Sequence, residues 1–200
     1  MTTTGTTPGT TPEGTAARER LRHLIDDLAV VHGRVLLSSG RTADYYVDLR
    51  RVTLQAEAAP LVGRVLLDLL ADAGFSGDAA PAAVGGLTMG ADPVAAAVLH
   101  AAAARGQAVD AFVVRKEAKA HGLQRRVEGP DVAGRRVVAL EDTSTTGGSV
   151  MTAVEALQEA GAEVVAVAVI LDRDTGARER VERAGLPYLA AFTKADLGLA

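Results

Sequence analysis

Apolar residues recur along most of the chain at spacings that predict helices and strands. From Leu21 onward they fall three or four positions apart, which predicts an amphipathic helix over 16–32 that stops at Gly33. Residues 34–52 then predict two short strands around a Ser-Ser-Gly turn, and residues 60–74 predict a second helix. We therefore expect the first part of the chain to form a helix, a hairpin and a further helix.

From residue 82 onward, continuous apolar runs alternate with helical patterns. The runs are AAVGG, AFVVR, RVVAL, EVVAVAVILD and PYLAAF, and helical segments separate most of them. Strands that are apolar at nearly every position are typical of a parallel sheet covered by helices on both faces, so the expected fold class is α/β. In such sheets ligands bind beyond the carboxyl ends of the strands. That rim is predicted to carry the segments GGLTMG, RKEAKAHG, EDTSTTGGS and DRDTG.

Composition narrows the possible functions. Lysine and arginine number 21 and aspartate and glutamate 25, a net charge of −4, so neither nucleic acid nor an anionic membrane is an expected partner. The chain has no cysteine, which excludes disulfides, thiolate zinc sites and cysteine nucleophiles. Residues 1–15 are rich in Thr, Gly and Pro and lack the features of a secretory signal. We expect them to be a disordered tail before a single domain over 16–200, in a cytoplasmic protein.

The segment VVALEDTSTTGGSV, residues 137–150, joins two acids to a loop of hydroxyls and glycines. We expect a strand over 137–140 and a helix from residue 149. The free backbone N–H groups between them and the positive end of the helix form a ready site for a phosphate. Glu141 and Asp142 can accept hydrogen bonds from vicinal hydroxyls and support a magnesium ion. A ribose 5-phosphate satisfies both requirements, whereas an ordinary capped turn needs only one such residue.

A basic loop follows the strand AFVVR. Arg115, Lys116, Lys119 and His121 lie within seven positions, and 116–130 has no apolar periodicity, which predicts a mobile loop. Positioned cations of this kind can stabilise the negative charge that builds on a diphosphate leaving group, and a mobile loop can act as a lid that excludes water. A solvated cluster of charges is the alternative interpretation.

The acids and loop at 141–149 resemble the phosphoribosyl diphosphate signature of the type I phosphoribosyltransferases. Three further segments, SSGRTADYYVDLR (38–50), RKEAKAHG (115–122) and LDRDTG (171–176), resemble the orotate phosphoribosyltransferases of that family, in order and at suitable spacing. The resemblance covers about residues 17–192, nearly all of the predicted domain.

The resemblance implies a parallel sheet flanked by helices at about 56–195, a small N-terminal hood at about 16–55, and a flexible catalytic loop. It implies transfer of ribosyl 5-phosphate from phosphoribosyl diphosphate to orotate, giving orotidine 5′-monophosphate and diphosphate in pyrimidine biosynthesis. The implied cofactor is Mg²⁺, held mainly through the diphosphate and water rather than directly by side chains. A homodimer that shares the loop across its interface is also implied. An enzyme of the same superfamily for another base, and a regulator of this fold that binds nucleic acid, are the alternatives.

Carried over residue by residue, the resemblance implies three groups of site residues. Those expected to be catalytic are Lys119, His121 and Asp142. Those expected to bind phosphoribosyl diphosphate are Arg115, Lys116, Lys119, His121, Glu141, Asp142, Thr143, Ser144, Thr145, Thr146, Gly147, Gly148 and Ser149. Those expected to bind orotate are Thr145, Arg173, Tyr45 and Tyr46. Strand alternation sends only one of the two tyrosine rings toward any one face, and a surface ion pair is the alternative for Arg173.

Two positions depart from the family pattern. Many members have lysine where this chain has Ser38, and many read Tyr-Lys-Gly where it reads Thr88-Met89-Gly90. Those lysines contact phosphate in the relatives that have them. We therefore assign no binding role to Ser38 or Met89.

Overall fold

Two sheets and six α-helices make up the part of the chain that the computed structural model describes, residues 11–36, 42–117 and 126–199. The larger sheet has the strand order β5-β4-β3-β6-β7-β8, and β1 and β2 form a separate pair. The strands are β1 (Val30–Leu36), β2 (Thr42–Val47), β3 (Ala83–Leu87), β4 (Asp110–Val114), β5 (Val127–Glu128), β6 (Arg136–Ser144), β7 (Glu163–Asp172) and β8 (Tyr188–Thr193). The helices are α1 (Pro12–Ala29), α2 (Arg50–Thr53), α3 (Ala58–Asp72), α4 (Ala91–Ala104), α5 (Gly148–Glu159) and α6 (Ala177–Arg183).

The larger sheet is parallel except at one edge, where the short strand β5 pairs antiparallel with β4. One face packs against α1, α3 and α4, and the other against α5 and α6. Alternate residues of the central strands enter the two cores: Val138 and Ala166 face the first, whereas Val137 and Val167 face the second. Burial on both faces explains why these strands are apolar at nearly every position, and it confirms the α/β fold class.

Helices α3 and α4 cross at very short range because the crossing point has no side chain. A Cβ atom on Gly63 would lie 2.1 Å from the carbonyl oxygen of Ala97, so any larger residue would force the helices apart. The Ala-rich composition of α4 therefore serves close packing. Among the helices that the structure describes, none is both long enough and apolar enough to span a membrane.

The N-terminal elements form a smaller layer at one side of the sheet. Strands β1 and β2 pair antiparallel, with Val30 opposite Val47, and α1 packs against α3. The Arg18 guanidinium lies over the Phe192 ring at 4.4 Å from its centroid and donates a hydrogen bond to the carbonyl of Ala191. Both strands of the predicted hairpin are therefore present, and α1 connects the hairpin to the larger sheet. The turn between the strands lies outside the described residues.

The first helix differs from its prediction at both ends. It begins at Pro12 rather than at residue 16, because the Thr11 hydroxyl caps it by accepting the Gly14 N–H at 3.1 Å. It ends at Ala29, because Val30 and the residues after it pair with β2 instead. Residues 12–15 are therefore helical, so the expected disordered tail over 1–15 was drawn too long at its end; residues 1–10 lie outside the described part.

Two further boundaries differ around the predicted site. Strand β6 continues to Ser144 instead of ending at residue 140, because Thr143 and Ser144 keep pairing with the long strand β7. Helix α5 begins at Gly148, which leaves a connection of only residues 145–147. The predicted mobile loop over 116–130 also contains a short strand, β5, while residues 118–125 lie outside the described part.

The corrected start of α1 leads to a truncation test. We expect a chain that begins at Thr11 to keep the melting temperature of the full chain, because the cap and the buried residue Gly14 are retained. A chain that begins at Thr15 loses both and should melt several degrees lower, since losing a cap alone costs about 1 kcal/mol. Equal melting temperatures for the two truncated chains would show that the first turn contributes nothing.

Candidate active site

A cavity of about 420 Å³ lies at the edge of the sheet where the strands have their carboxyl ends. The four segments predicted for this rim all contribute to its wall, and the segment from Tyr46 to Arg50 completes it. The lining residues are Tyr46, Val47, Asp48, Leu49, Arg50, Leu87, Thr88, Met89, Gly90, Ala91, Lys116, Glu141, Asp142, Thr143, Ser149 and Arg173. Parallel pairing of β3, β6 and β7 explains the convergence, because the loops that follow these strands leave the same edge.

Asp142 lines this cavity, and its carboxylate contacts the backbone of Thr143 and lies close to Gly90. Its Oδ1 accepts the Thr143 N–H at 2.7 Å. A Cβ on Gly90 would lie only 2.6 Å from the same Oδ1, so the β3–α4 turn approaches the carboxylate closely. The carboxylate is therefore held beside the N-terminus of α4.

Burial changes the acidity of the paired acids. Burial raises the pKa of Glu141 to about 7, and nearby Asp142 adds to the rise while Ser144 and Ser149 oppose it. Burial likewise raises the pKa of Asp142, against the effects of the Thr143 N–H and of the positive charge on Arg50. Near neutral pH a fraction of Glu141 is therefore protonated and can donate as well as accept a hydrogen bond.

The connection between β6 and α5 has the form of a phosphate cradle. Thr145 and Thr146 are exposed, Gly147 has a φ of 71°, and no side chain caps the N-terminus of α5. A Cβ on Gly148 would make only ordinary van der Waals contacts, with the Arg180 guanidinium at 3.7 Å and the Thr146 hydroxyl at 3.8 Å. An anion can approach the free N–H groups at the start of this helix.

Residues 144–148 of the predicted loop do not line the cavity. Ser144 differs from its exposed neighbours Thr145 and Thr146. Its side chain is fully buried, so it cannot reach a ligand in the cavity. The reason is the added length of β6, which continues one pairing position beyond Thr143 and turns Ser144 into the protein. Its carbonyl accepts the Arg173 N–H at 3.0 Å and so helps to hold the loop after β7.

Of the four residues predicted for orotate, Tyr46 and Arg173 line the cavity, whereas Tyr45 and Thr145 do not. Tyr46 lines it, while Tyr45 packs against the core and carries the Arg173 guanidinium over its ring at 5.6 Å. The two rings thus separate as strand alternation requires. Arg173 lines the cavity, and within the described residues it forms no ion pair; Asp172 is buried and accepts the Asp174 N–H instead.

The basic segment is described only at its beginning. Lys116 lines the cavity of its own chain, whereas the guanidinium of Arg115 lies 3.7 Å from Glu128 and does not line it. Lys119 and His121 lie outside the described residues. Two successive side chains of this segment therefore point in different directions.

Sequence reasoning missed the contribution of Asp48 and Arg50. Both line the cavity, and the Arg50 Nε donates to Asp48 Oδ1 at 2.8 Å. Their signal in the sequence was the segment DYYVDLR, which supported the family resemblance but in which only the tyrosines received a site role. Met89, which received no role, is 70% exposed at the rim.

Comparisons with known proteins agree with this geometry. The family model described as "Phosphoribosyl transferase domain" matches residues 54–184. Orotate phosphoribosyltransferase of Streptomyces coelicolor is 69% identical over 186 residues, which cover 92% of this chain and 99% of that protein.

Two crystal structures of Mycobacterium tuberculosis orotate phosphoribosyltransferase each cover 92% of this chain and 99% of theirs. The complex with Fe(III) dicitrate is 56% identical with a TM-score of 0.81. The complex with 5-phospho-α-D-ribosyl 1-diphosphate is 49% identical with a TM-score of 0.77.

A parallel sheet whose carboxyl edge holds paired acids and a phosphate cradle is the architecture of a phosphoribosyltransferase, and the matching domain is of that class. Within it, the chain belongs to the orotate phosphoribosyltransferase family.

The raised pKa of Glu141 leads to a pH-dependent prediction. In the unfolded chain this carboxyl titrates near 4.5 and in the folded protein near 7, so wild-type stability falls as pH rises between these values. We expect Glu141→Gln to raise the melting temperature relative to wild type much more at pH 8 than at pH 5. The gain in the free energy of unfolding at pH 8 should exceed the gain at pH 5 by about 3 kcal/mol at most.

The control is the same change at Glu155, an exposed residue of α5 outside the cavity. Thermal melts of both variants at the two pH values make the comparison. A gain for Glu141→Gln that is equal at pH 5 and pH 8 would contradict the raised pKa.

Proposed function

We propose that this chain catalyses the transfer of ribosyl 5-phosphate from phosphoribosyl diphosphate to orotate, which gives orotidine 5′-monophosphate and diphosphate. The observation that carries the proposal is the meeting of Asp142, Lys116 and Arg173 in one cavity. A carboxylate for a sugar, a cation for phosphate and a guanidinium for a base carboxylate line the same cavity. We also propose that the protein is cytoplasmic, as we expected from its composition.

The 5-phosphate would bind at the N-terminus of α5. The hydroxyls of Thr145, Thr146 and Ser149 and the backbone beside Gly148 are accessible to it. Glu141 and Asp142 would accept hydrogen bonds from the ribose hydroxyls. A partly protonated Glu141 would reduce repulsion between the acids and a substrate of several negative charges.

The diphosphate would lie at the opposite end of the cavity. Lys116 lines this end together with the turn Thr88–Ala91, where α4 begins without a side-chain cap. Lys119 and His121 are proposed to join it from the basic loop. Their combined positive charge would stabilise the negative charge that develops on the diphosphate as its bond to the anomeric carbon breaks.

Asp48, Glu141 and Asp142 supply carboxylate oxygens to the same cavity, where they could accept hydrogen bonds from water bound to a magnesium ion. Within the described residues no group of three or more ligating side chains could hold a metal. We therefore propose that Mg²⁺ binds mainly through the diphosphate and water, with the acids near it. When bound, it would neutralise charge on the leaving group.

Orotate would bind between Tyr46 and Arg173. The Arg173 guanidinium can form two parallel hydrogen bonds with the carboxylate of orotate, and the ring of Tyr45 holds it from behind. Thr145 is the remaining proposed contact. Orotate reacts as a ring-nitrogen anion, so the proposal requires no strong general base and no covalent nucleophile.

Selection of orotate leads to a kinetic prediction. We expect Arg173→Ala to lower the affinity for orotate about tenfold to a hundredfold, since a hydrogen bond between charged groups contributes about 1.5–3 kcal/mol. The apparent affinity for phosphoribosyl diphosphate should change far less. A spectrophotometric assay of orotate consumption, dependent on Mg²⁺, measures both, and Arg183→Ala on the exposed end of α6 is the control.

Equal losses for both substrates would make Arg173 a structural residue. Consumption of another base, with none of orotate, would favour an enzyme of the same superfamily for that base. Binding of nucleic acid without catalysis would favour a regulator of this fold.

We also propose a homodimer in which the basic loop reaches the partner's site. Arg115 supports this arrangement, because its guanidinium faces Glu128 and not the cavity of its own chain. An apolar groove of about 760 Å³ between α3 and α4 offers a surface for the two-fold contact. Leu54 in this groove is 73% exposed.

Phosphate-binding and base-binding groups are concentrated in the smaller cavity, so size alone does not mark the active site.

Subunit mixing tests the shared site. Lys119→Ala inactivates the loop and Asp142→Asn the ribose site, so each variant alone should be inactive. In a mixed dimer, the Lys119→Ala subunit keeps its ribose site and borrows the partner's intact loop. Random exchange makes half of the dimers mixed with one working site each, so about a quarter of wild-type activity should return. No recovery after verified exchange would assign the loop to its own subunit.

A further inference from the structure

Arg50 is a cation of the cavity that the family resemblance leaves without a role. It is the first residue of α2, and its side chain is 47% exposed. Its Nε donates to Asp48 Oδ1 at 2.8 Å, and its backbone N–H donates to the same oxygen at 3.2 Å. The guanidinium is therefore held at its base. No hydrogen bond among the described residues uses its two terminal nitrogens.

Arg50 lines the cavity near Asp142. Three cations among the described residues line the cavity: Arg50, Lys116 and Arg173. Arg173 lies over the Tyr45 ring on the side proposed for the base. Arg50 shares the cavity with the β3–α4 turn and is close enough to Asp142 to oppose the rise in that residue's pKa.

We propose that Arg50 binds the diphosphate of phosphoribosyl diphosphate through its terminal N–H groups, and that Asp48 positions it for this contact. The proposal rests on the proposed function, because it names a further binding residue of the same site. A planar guanidinium presents two parallel N–H donors to neighbouring phosphate oxygens, a geometry that lysine lacks. With Met89 at the rim in place of a cation, Arg50 supplies positive charge to the cavity that the β3–α4 turn also lines, where the leaving group would lie.

An ordinary surface ion pair would have different consequences. Exposed ion pairs contribute little to stability, so a purely structural Arg50 could be replaced with almost no effect. The next residue, Arg51, provides a matched comparison. It lies on the same helix and is exposed, but it does not line the cavity. The same substitution at the two positions removes the same charge, and only one of them removes a cavity donor.

The experiment compares Arg50→Gln with Arg51→Gln in the full chain with Mg²⁺. We expect Arg50→Gln to weaken binding of inorganic pyrophosphate, measured by calorimetry, about tenfold to a hundredfold, and to raise the KM for phosphoribosyl diphosphate similarly. Orotate affinity should change less than threefold, which corresponds to about 0.65 kcal/mol. Arg51→Gln should match wild type in all three measurements. The pyrophosphate affinity of Arg50→Lys should lie between those of wild type and Arg50→Gln. Asp48→Asn should also weaken pyrophosphate binding, but by less than Arg50→Gln.

Two results would overturn the proposal. Pyrophosphate affinity of Arg50→Gln within twofold of Arg51→Gln would show that Arg50 does not contact the diphosphate. Equal losses for pyrophosphate and orotate would assign it to the structure of the cavity. If Arg50→Gln fails to fold, Arg50→Lys and Asp48→Asn make the same test. Failure of the proposed function would appear separately, as a wild-type chain that consumes no orotate while pyrophosphate binding is still measurable.

Discussion

The parallel pairing of β6 between β3 and β7 is the constraint on which the site depends. Gly85 lies opposite Ala139 and Glu141 lies opposite Val169, so the three strands run in step toward one edge. Every connection that leaves this edge begins within reach of the others. Side chains far apart in the sequence then line one cavity without any long loop to hold them. A change of register in β6 would move both acids and the phosphate cradle together.

The same pairing sets the electrostatics of the acids. Because the sheet is covered on both faces, Glu141 and Asp142 leave the apolar core only at the end of β6 and are still largely shielded from water. Ionising both next to each other is therefore costly, and the raised pKa of Glu141 relieves that cost. The arrangement suits a sugar phosphate, which needs hydrogen-bond acceptors for its hydroxyls but would be repelled by two full negative charges.

The sequence was sufficient for the sheet, for its two buried faces and for the segments that form its carboxyl edge, because continuous apolar runs and helical periodicity depend on local positions. The predicted end of β6 was wrong, because Thr143 and Ser144 look like loop residues and only the length of β7 keeps them paired. The start of α1 could have been found, because Thr11-Pro12 is a helix-start signal within a stretch of low complexity.

The position of Arg50 could not be predicted in this way. Its distance from Asp142 depends on how the layer of β1, β2 and α1 packs beside the sheet, through contacts such as Arg18 over Phe192 that no local pattern encodes. The two ends of the cavity consequently differ in kind. The proposed 5-phosphate site at α5 would rely largely on backbone N–H groups, which few substitutions can remove, whereas the proposed diphosphate site would rely on the side chains of Arg50 and Lys116. Different elements of the fold can therefore supply the cations of the proposed diphosphate site. The strand–helix connection, in contrast, always supplies the backbone N–H groups of the proposed 5-phosphate site.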